Sequence, residues 1–307
     1  MNVLLLIGGF VLLFFSGKYL VKGGVELANY FNIPTLVIGL TIVSFGTSAP
    51  ELLVSLKAAL SGHPDIAIGN VVGSNISNMA LVLGITALIY PIPVVRKILR
   101  IDWPIMMLAT LMLYFFILNG KIEHWEGIIF FVLLIAFNYL SVKKFRNGEN
   151  VVQKAAFPWH ISLLIIVVSS VGLVFGANWL VEGASNIALN MGVDERIVSV
   201  SVIAFGTSVP ELATSIIAAL NKETDISIGN IIGSNIFNVW GILGITSMVK
   251  EVPVNQKTID FDSFWVIGIS VLLFVFMLSF KKKHNLSRIE GALLILSYAA
   301  YIYFVIS

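Results

Sequence analysis

The sequence predicts an all-α polytopic membrane protein, on three observations: an apolar composition, regularly spaced apolar runs and an internal repeat. Of the 307 residues, 58% are hydrophobic and 12% are charged, whereas soluble domains carry about 25% charged residues. The mean hydropathy is +0.95. We therefore expect most of the chain to lie in a lipid bilayer.

Ten apolar runs are each close to the ~20 residues that cross a bilayer as a helix. They cover residues 3–30, 33–60, 65–90, 101–118, 124–142, 159–189, 193–220, 225–249, 262–280 and 287–306. Only the polar stretch between the fifth and sixth runs is long enough to be a linker. The predicted units are a first five-helix repeat (1–142), a linker (143–158) and a second five-helix repeat (159–307).

The two halves share an internal sequence repeat. With an offset of 160 and no gaps, residues 45–86 match residues 205–246 at 25 of 42 positions. An odd number of spans in each half reverses the membrane orientation of the second half. The sequence therefore predicts two inverted-topology repeats.

Lysine and arginine predict the orientation of the chain, because they favour cytoplasmic loops. With the N-terminus outside, twelve of them fall in cytoplasmic loops and four in outer loops. We therefore expect a multi-pass protein of the cell membrane with both termini extracellular and the 143–158 loop cytoplasmic. The formal net charge of +2, without a basic stripe, argues against a nucleic-acid partner.

The repeated phrase FGTSxPEL occupies residues 45–52 and 205–212. Pro50 has no N–H and its ring clashes with the preceding helical turn, and Gly46 tolerates non-helical backbone angles. The second copy contains the same two residue types. Both patterns predict a helix broken in mid-membrane, in spans two and seven, with unpaired carbonyl groups around residues 44–47 and 204–207.

Each phrase also places one acid near the centre of the membrane, Glu51 and Glu211. An ionisable residue at this depth costs roughly 2.5–3.5 kcal/mol on insertion scales, which marks it as a functional candidate. Thr47 and Thr207 precede the acids by four residues, the spacing that places side chains on one helix face.

The second repeated phrase, GNxxGSNIxN, covers residues 69–78 and 229–238. Its glycines form small-xxx-small faces that allow close helix approach. Its candidate ligands are Ser74, Asn78, Ser234 and Asn238. Carboxylate, hydroxyl, amide and carbonyl oxygens together suit hard cations such as Ca²⁺ or Na⁺. One Ca²⁺ neutralises two carboxylates, but protons also discharge them, and composition does not decide between the two.

These paired phrases resemble the alpha repeats of the cation/Ca²⁺ antiporter superfamily, and most closely its prokaryotic Na⁺/Ca²⁺ exchangers. The resemblance implies that Glu51 and Glu211 ligate Ca²⁺ and Na⁺ and that the carbonyls of Thr47 and Thr207 help to hold Ca²⁺. It assigns flanking Na⁺ sites to Ser44, Ser48, Ala204, Ser208, Ser74 and Ser234. It also implies exchange of three Na⁺ per Ca²⁺, with the first and sixth spans sliding against the other helices.

The alternative on the same fold is H⁺/Ca²⁺ antiport. Asn238 stands where K⁺-dependent exchangers tend to have an acid, which argues against K⁺ coupling. A passive channel also uses acidic residues to select cations, but inverted repeats favour alternating access. An enzyme is not expected, because no nucleophile–base pair or HExxH motif is present. We expect no cofactor, only the transported Ca²⁺ and Na⁺ (or H⁺), and a functional monomer.

Overall fold

The computed structural model of the protein describes residues 2–145, 154–192, 206–278 and 285–306, and these are almost entirely helical. Before the linker, the α-helices are α1 (Asn2–Phe31), α2 (Thr35–Ile38), α3 (Ser44–Thr47), α4 (Ala49–Leu60), α5 (Asp65–Ile76), α6 (Leu83–Ile89), α7 (Trp103–Ile117) and α8 (His124–Phe145). After it, they are α9 (Trp159–Asn190), α10 (Val209–Leu220), α11 (Thr224–Ile236), α12 (Gly244–Val249), α13 (Ser263–Leu278) and α14 (Arg288–Ile306).

In the described part of the chain, five π-helical segments extend these helices: π1 (Gly39–Val43), π2 (Ser77–Val82), π3 (Ile98–Asp102), π4 (Phe237–Leu243) and π5 (Thr258–Asp262). Two of them lengthen predicted spans. The fourth span begins at Ile98 and not at residue 101, and the ninth begins at Thr258 and not at residue 262. In both, a π-helical turn continues the helix through charged residues that the hydropathy pattern placed outside it.

Within the described residues, eight helices are long and apolar enough to cross a membrane, and a ninth span is bent. The bent span joins residues 35–47 to α4 at an angle of 46°, as the broken second span predicts. Helix α10 forms the second half of the predicted seventh span, whose first half lies largely outside the described residues. The protein is a multi-pass membrane protein, and the total of ten spans stays a prediction.

Apolar and polar side chains are distributed as expected for a protein in lipid. Large apolar side chains on the outer helices are exposed, such as Leu4, Phe10 and Tyr303. Serine, threonine and asparagine side chains are concentrated in the interior, where α5 and α11 lie. Because buried polar groups in a membrane require partners or a function, the interior of the helix bundle is the place to look for the site.

Helices α1 and α9 pack closely along their length. A Cβ atom on Gly9 would lie 2.8 Å from the carbonyl oxygen of Gly176, and one on Gly183 would lie 2.8 Å from the backbone nitrogen of Leu6. Glycine at these positions therefore allows the two backbones to approach each other. The polar segment before α9 also contacts α1, because the Ala156 N–H donates to the Glu26 carboxylate at 2.6 Å.

Two short antiparallel strand pairs connect the two halves of the chain. Strand β1 (Ile92–Pro93) pairs with β4 (Asn285–Leu286), and β2 (Lys121–Ile122) pairs with β3 (Val252–Pro253). Beside the second pair, the Lys121 ammonium group lies 3.1 Å from Glu251 and 3.2 Å from Glu123. We call the two strand pairs the strand clips. Each clip joins residues before the predicted linker to residues after it.

Candidate cation site

The first helix break lies at Ser48, between α3 and α4. Ser48 has φ −87° and ψ 7°, and Pro50 is in the first turn of α4. Ser208 has nearly the same angles, φ −86° and ψ 0°, directly before α10. The same residues therefore produce the same interruption twice, and each interruption is followed within one turn by an acid.

The carbonyl group of Ser44 is not freed by the first break, contrary to the sequence-based expectation. It accepts a hydrogen bond from the Ser48 N–H at 2.9 Å and one from the Thr47 hydroxyl at 3.2 Å. The Ser44 hydroxyl donates to the Leu40 and Thr41 carbonyls. The helix therefore continues to Ser48, because proline removes only its own N–H and leaves those of the preceding residues in place.

The two acids lie near each other in the interior. Glu51 and Glu211 are fully buried. Glu211 accepts hydrogen bonds from Ser48, which lies three residues before Glu51, at 2.9 Å and from Ser234 at 3.5 Å. Neither carboxylate oxygen of Glu51 has a hydrogen-bond partner among the described residues. Two buried acids with so few donors have oxygens available for a cation.

The threonines of the repeated phrase contact the serines of the facing helices. The Thr47 hydroxyl lies 3.5 Å from the Ser234 hydroxyl, and the Thr207 hydroxyl lies 3.4 Å from the Ser74 hydroxyl. Each contact joins one half of the chain to the other. The candidate ligands of the two repeats are therefore assembled into one group and not into two separate ones.

The asparagines of the second phrase form an asymmetric cluster beside this group. Asn238 donates to the Asn75 side-chain oxygen at 3.0 Å, and Asn75 donates to the Asn235 carbonyl at 3.3 Å. The amide of Asn78 is buried with no hydrogen-bond partner in the described part of the chain. Asn78 and the free oxygen of Asn238 are thus polar groups open to a ligand.

The remaining predicted ligands are Ala204, Ser208 and Ser44. Ala204 lies outside the described residues. The Ser208 hydroxyl is buried and has no partner in the described ranges. The Ser44 hydroxyl donates to its own helix, as described above, which orients the hydroxyl and leaves the lone pairs of its oxygen for a cation.

Four residues that the sequence analysis did not place in the site support it. Asn70 donates to the Glu51 carbonyl at 3.2 Å and to the Ser55 hydroxyl at 3.0 Å. Asn230 donates to the Ser215 hydroxyl at 3.1 Å. Their signal in the sequence is that both asparagine–serine pairs recur at the offset of 160, with each serine one turn after an acid.

The ligand atoms that this group of side chains offers to a cation are all oxygen atoms. Among the described residues, no three histidine, cysteine, aspartate or glutamate side chains cluster as a metal site. The group therefore has two carboxylates, with hydroxyl and amide oxygens around them. Such a set has enough negative charge for one divalent ion, and its ligand type favours Ca²⁺ or Na⁺ over transition metals.

Comparisons with known proteins identify the family. The chain matches the family "Sodium/calcium exchanger protein" over residues 1–143 and 161–307. It is 34% identical to the CaxA protein of Alkalimonas amylolytica, over 97% of both chains. It is 29% identical to the sodium/calcium exchanger MaX1 of Methanosarcina acetivorans, over 98% of this chain and 97% of that one.

Among solved structures, the chain is similar to the sodium-calcium exchanger NCX_Mj soaked with zero Na⁺ and Ca²⁺. The TM-score is 0.84 and the sequence identity is 29%, covering 99% of this chain and 98% of that one. Sequence and structure thus agree over nearly the full length. The protein is a member of the sodium/calcium exchanger family.

Proposed function

We propose that the protein is a secondary antiporter that exchanges Na⁺ for Ca²⁺ by alternating access to one central site. The observation that carries the proposal is the pair of buried acids, Glu51 and Glu211, that follow two equivalent helix breaks. Leaving both ionised without a cation is unfavourable in a low dielectric. Such a carrier exchanges ions because it changes conformation readily only when the site is loaded.

The proposed ligands are those expected from the sequence. Ca²⁺ is held by Glu51 and Glu211 with the carbonyls of Thr47 and Thr207. Na⁺ ions take flanking positions formed with Ser44, Ser48, Ala204, Ser208, Ser74 and Ser234. Asn78 and Asn238 line the site between the acids. Three Na⁺ per Ca²⁺ makes the exchange electrogenic, since one net positive charge moves in each cycle.

The proposed architecture is ten spans in two inverted repeats, with the units 1–142, 143–158 and 159–307. Supporting features are the repeated dihedral angles at Ser48 and Ser208 and the strand clips. Strands β1 and β3 are equivalent at the offset of 160, and each pairs with a strand of the other half. Both termini are extracellular and the linker is cytoplasmic. A single chain contributes every proposed ligand, so the functional unit is a monomer.

The test is ⁴⁵Ca²⁺ uptake into proteoliposomes with gradients of Na⁺, K⁺ and H⁺ imposed one at a time. Na⁺ inside and none outside drives uptake, and dissipating the pH gradient leaves it intact. Uptake that requires the pH gradient and does not depend on Na⁺ identifies the alternative, H⁺/Ca²⁺ antiport. The unpartnered carboxylate oxygens of Glu51 are compatible with that alternative, because they can also bind a proton. Uptake that follows the Ca²⁺ gradient without any counter-ion contradicts both.

A further inference from the structure

We propose that Asn230 is a positioning residue, which holds Thr47 in the orientation that the cation site requires. Its side-chain oxygen accepts a hydrogen bond from the Thr47 hydroxyl at 3.0 Å. Its amide nitrogen donates to the Ser215 hydroxyl at 3.1 Å. The side chain is fully buried. One amide group therefore connects α11 with the end of α3 and with α10.

The other end of this connection is itself fixed. Ser215 belongs to α10, one turn after Glu211, and its carbonyl accepts from the Ser227 hydroxyl of α11 at 2.9 Å. Two hydrogen bonds thus join α10 to α11 beside Asn230. Because an asparagine amide is planar, fixing its nitrogen also fixes its oxygen. The Thr47 hydroxyl therefore contacts an acceptor in a defined position.

Thr47 needs such support because of its place in the chain. It is the last residue of the helical segment 35–47, and the next residue, Ser48, departs from helical angles. The end of a helix is held by fewer backbone hydrogen bonds than its interior. Its orientation therefore depends on contacts with neighbouring helices, and the bond to Asn230 is the shorter of the two that Thr47 makes across the repeats.

The equivalent residue of the first half makes a different set of contacts. Asn70 donates to the Ser55 hydroxyl and to the Glu51 carbonyl. The hydroxyl of Thr207 contacts Ser74 instead. Asn70 therefore contacts α4, and within the described residues Asn230 is the one of these two asparagines that contacts a threonine of a helix break. This difference provides a matched control within the same protein.

The inference rests on the proposed function, because Thr47 is important here as a carbonyl ligand of Ca²⁺. The experiment is a double-mutant cycle that measures Na⁺-driven ⁴⁵Ca²⁺ uptake in proteoliposomes. We expect Asn230→Ala and Thr47→Val each to raise the KM for Ca²⁺ about 3- to 10-fold, the range given by one buried hydrogen bond. The maximal rate per folded protein stays within about 2-fold.

The double variant has a KM increase clearly smaller than the product of the two single increases, because both variants remove the bond between Thr47 and Asn230. Thr47→Ser keeps the hydroxyl, so Asn230→Ala raises the KM again in that background. For Asn70→Ala and Thr207→Val, which share no bond, the two effects multiply. If Asn230→Ala does not fold, Asn230→Ser takes its place, because its shorter side chain does not span both partners.

If the KM increases caused by Asn230→Ala and Thr47→Val multiply in the double variant while the wild type takes up Ca²⁺ normally, the inference is wrong but the proposed function stands. A loss of maximal rate at unchanged KM also overturns it, since that outcome indicates a purely structural role. Wild-type protein without any Na⁺-driven uptake overturns the proposed function, and the inference falls with it.

Discussion

Glu51 and Glu211 occupy equivalent positions in the repeated phrase, but their carboxylates have different surroundings. Glu211 accepts hydrogen bonds from Ser48 and Ser234, whereas the oxygens of Glu51 have no partner in the part of the chain that the structure describes. The bonds to Glu211 come from both halves of the chain, so its position is fixed before a cation binds. Glu51 is the acid that is free to adjust to the ion.

We expect both Glu51→Gln and Glu211→Gln to abolish Na⁺-driven ⁴⁵Ca²⁺ uptake. Each change keeps the shape of the side chain but removes half of the negative charge that balances Ca²⁺. Glu182→Gln is the control, because Glu182 is exposed on α9 and its change leaves uptake intact. Full activity in either of the first two variants would remove the central role of the pair.

Asn238→Asp adds a third carboxylate next to Asn75. We expect Ca²⁺ binding to persist and the dependence of uptake on Na⁺ or pH to change, because the added charge attracts a further Na⁺ or proton. Ca²⁺ binding by calorimetry, and uptake across a series of pH and Na⁺ concentrations, are the measurements. Unchanged Na⁺ and pH dependence would show that residue 238 does not line the site.

The acids could be predicted from the sequence because an acidic residue within an apolar run is recognised without knowing the fold. Contacts such as Ser48 with Glu211 could not, because they join residues from different halves that only the folded structure brings together. The Ser44 carbonyl shows a second limit. Its pairing with the Ser48 N–H requires helical backbone angles at residues 45–47, which the residue types alone do not determine.

At the scale of elements, the glycine in each repeated phrase leaves room for helix α9 to pack against the helix break. A Cβ atom on Gly46 would collide with the Ser170 hydroxyl, and one on Gly206 would collide with the Val181 side chain. The glycines were expected to relax the backbone. Their environment shows a second reason for them, which is that the breaks lie directly against a neighbouring helix.

We expect Gly46→Ala to impair transport, and Ser170→Ala in the same chain to restore much of it. The added methyl group displaces α9 from the break, at roughly 1–3 kcal/mol for overpacking. Removing the Ser170 hydroxyl leaves the methyl group 3.6 Å from the Cβ of Ser170, an ordinary contact. Uptake and thermal stability of the single and double variants provide the test. No recovery in the double variant would contradict it.

Gly233 allows α11 to pack closely against the first half of the second span. A Cβ atom on Gly233 would lie 2.7 Å from the Cα of Leu40, so the expected close helix approach is present there. At Gly73 the residue equivalent to Leu40 is Val200, which lies outside the described residues. We expect Gly233→Ala to lower the melting temperature, because a methyl group has no room against the Leu40 backbone. An unchanged melting temperature would contradict this expectation.

At the scale of the whole molecule, the two half-helices that follow the breaks are covered unequally. Helix α1 covers α10, where the Ile217 side chain fits against Gly17. The equivalent face of α4 is open, with Leu53 61% and Leu60 67% exposed and Lys57 exposed between them. An alternating-access carrier has a second state, in which the roles of the two repeats are exchanged. In that state we expect α9 to cover this face of α4.

Lys57 is equivalent to Ile217 of α10, so covering this face of α4 must bury a charged side chain, which is unfavourable. We expect Lys57→Ile to shift the protein several-fold towards the state in which α4 is covered. The chain has no cysteine, so a maleimide labels only the cysteine introduced by Leu53→Cys. We expect its labelling rate to fall when Lys57→Ile is added, because α4 is then covered more of the time. Lys18→Ile, on an exposed position of α1, is the control. An unchanged labelling rate in the Lys57 variant would contradict the expectation.

The helical class, most span boundaries, the first break and the family could all be predicted from the sequence, because hydropathy and repetition run along the chain. The unequal coverage of α4 and α10 could not. Residues 49–60 and 209–220 are identical at seven of twelve positions, and both read as amphipathic half-helices after a break. The exchange of Ile217 for Lys57 acquires its meaning only once the packing of the folded bundle is known.

The strand clips have a consequence for the continuity of the chain. Because β1 is fastened to β4 and β2 to β3, the association of the two halves does not depend on the peptide that joins them. Insertions or a nick between Arg146 and Gln153 would leave those fastenings intact. A protein with this arrangement is compatible with an ancestor made of two separate short polypeptides.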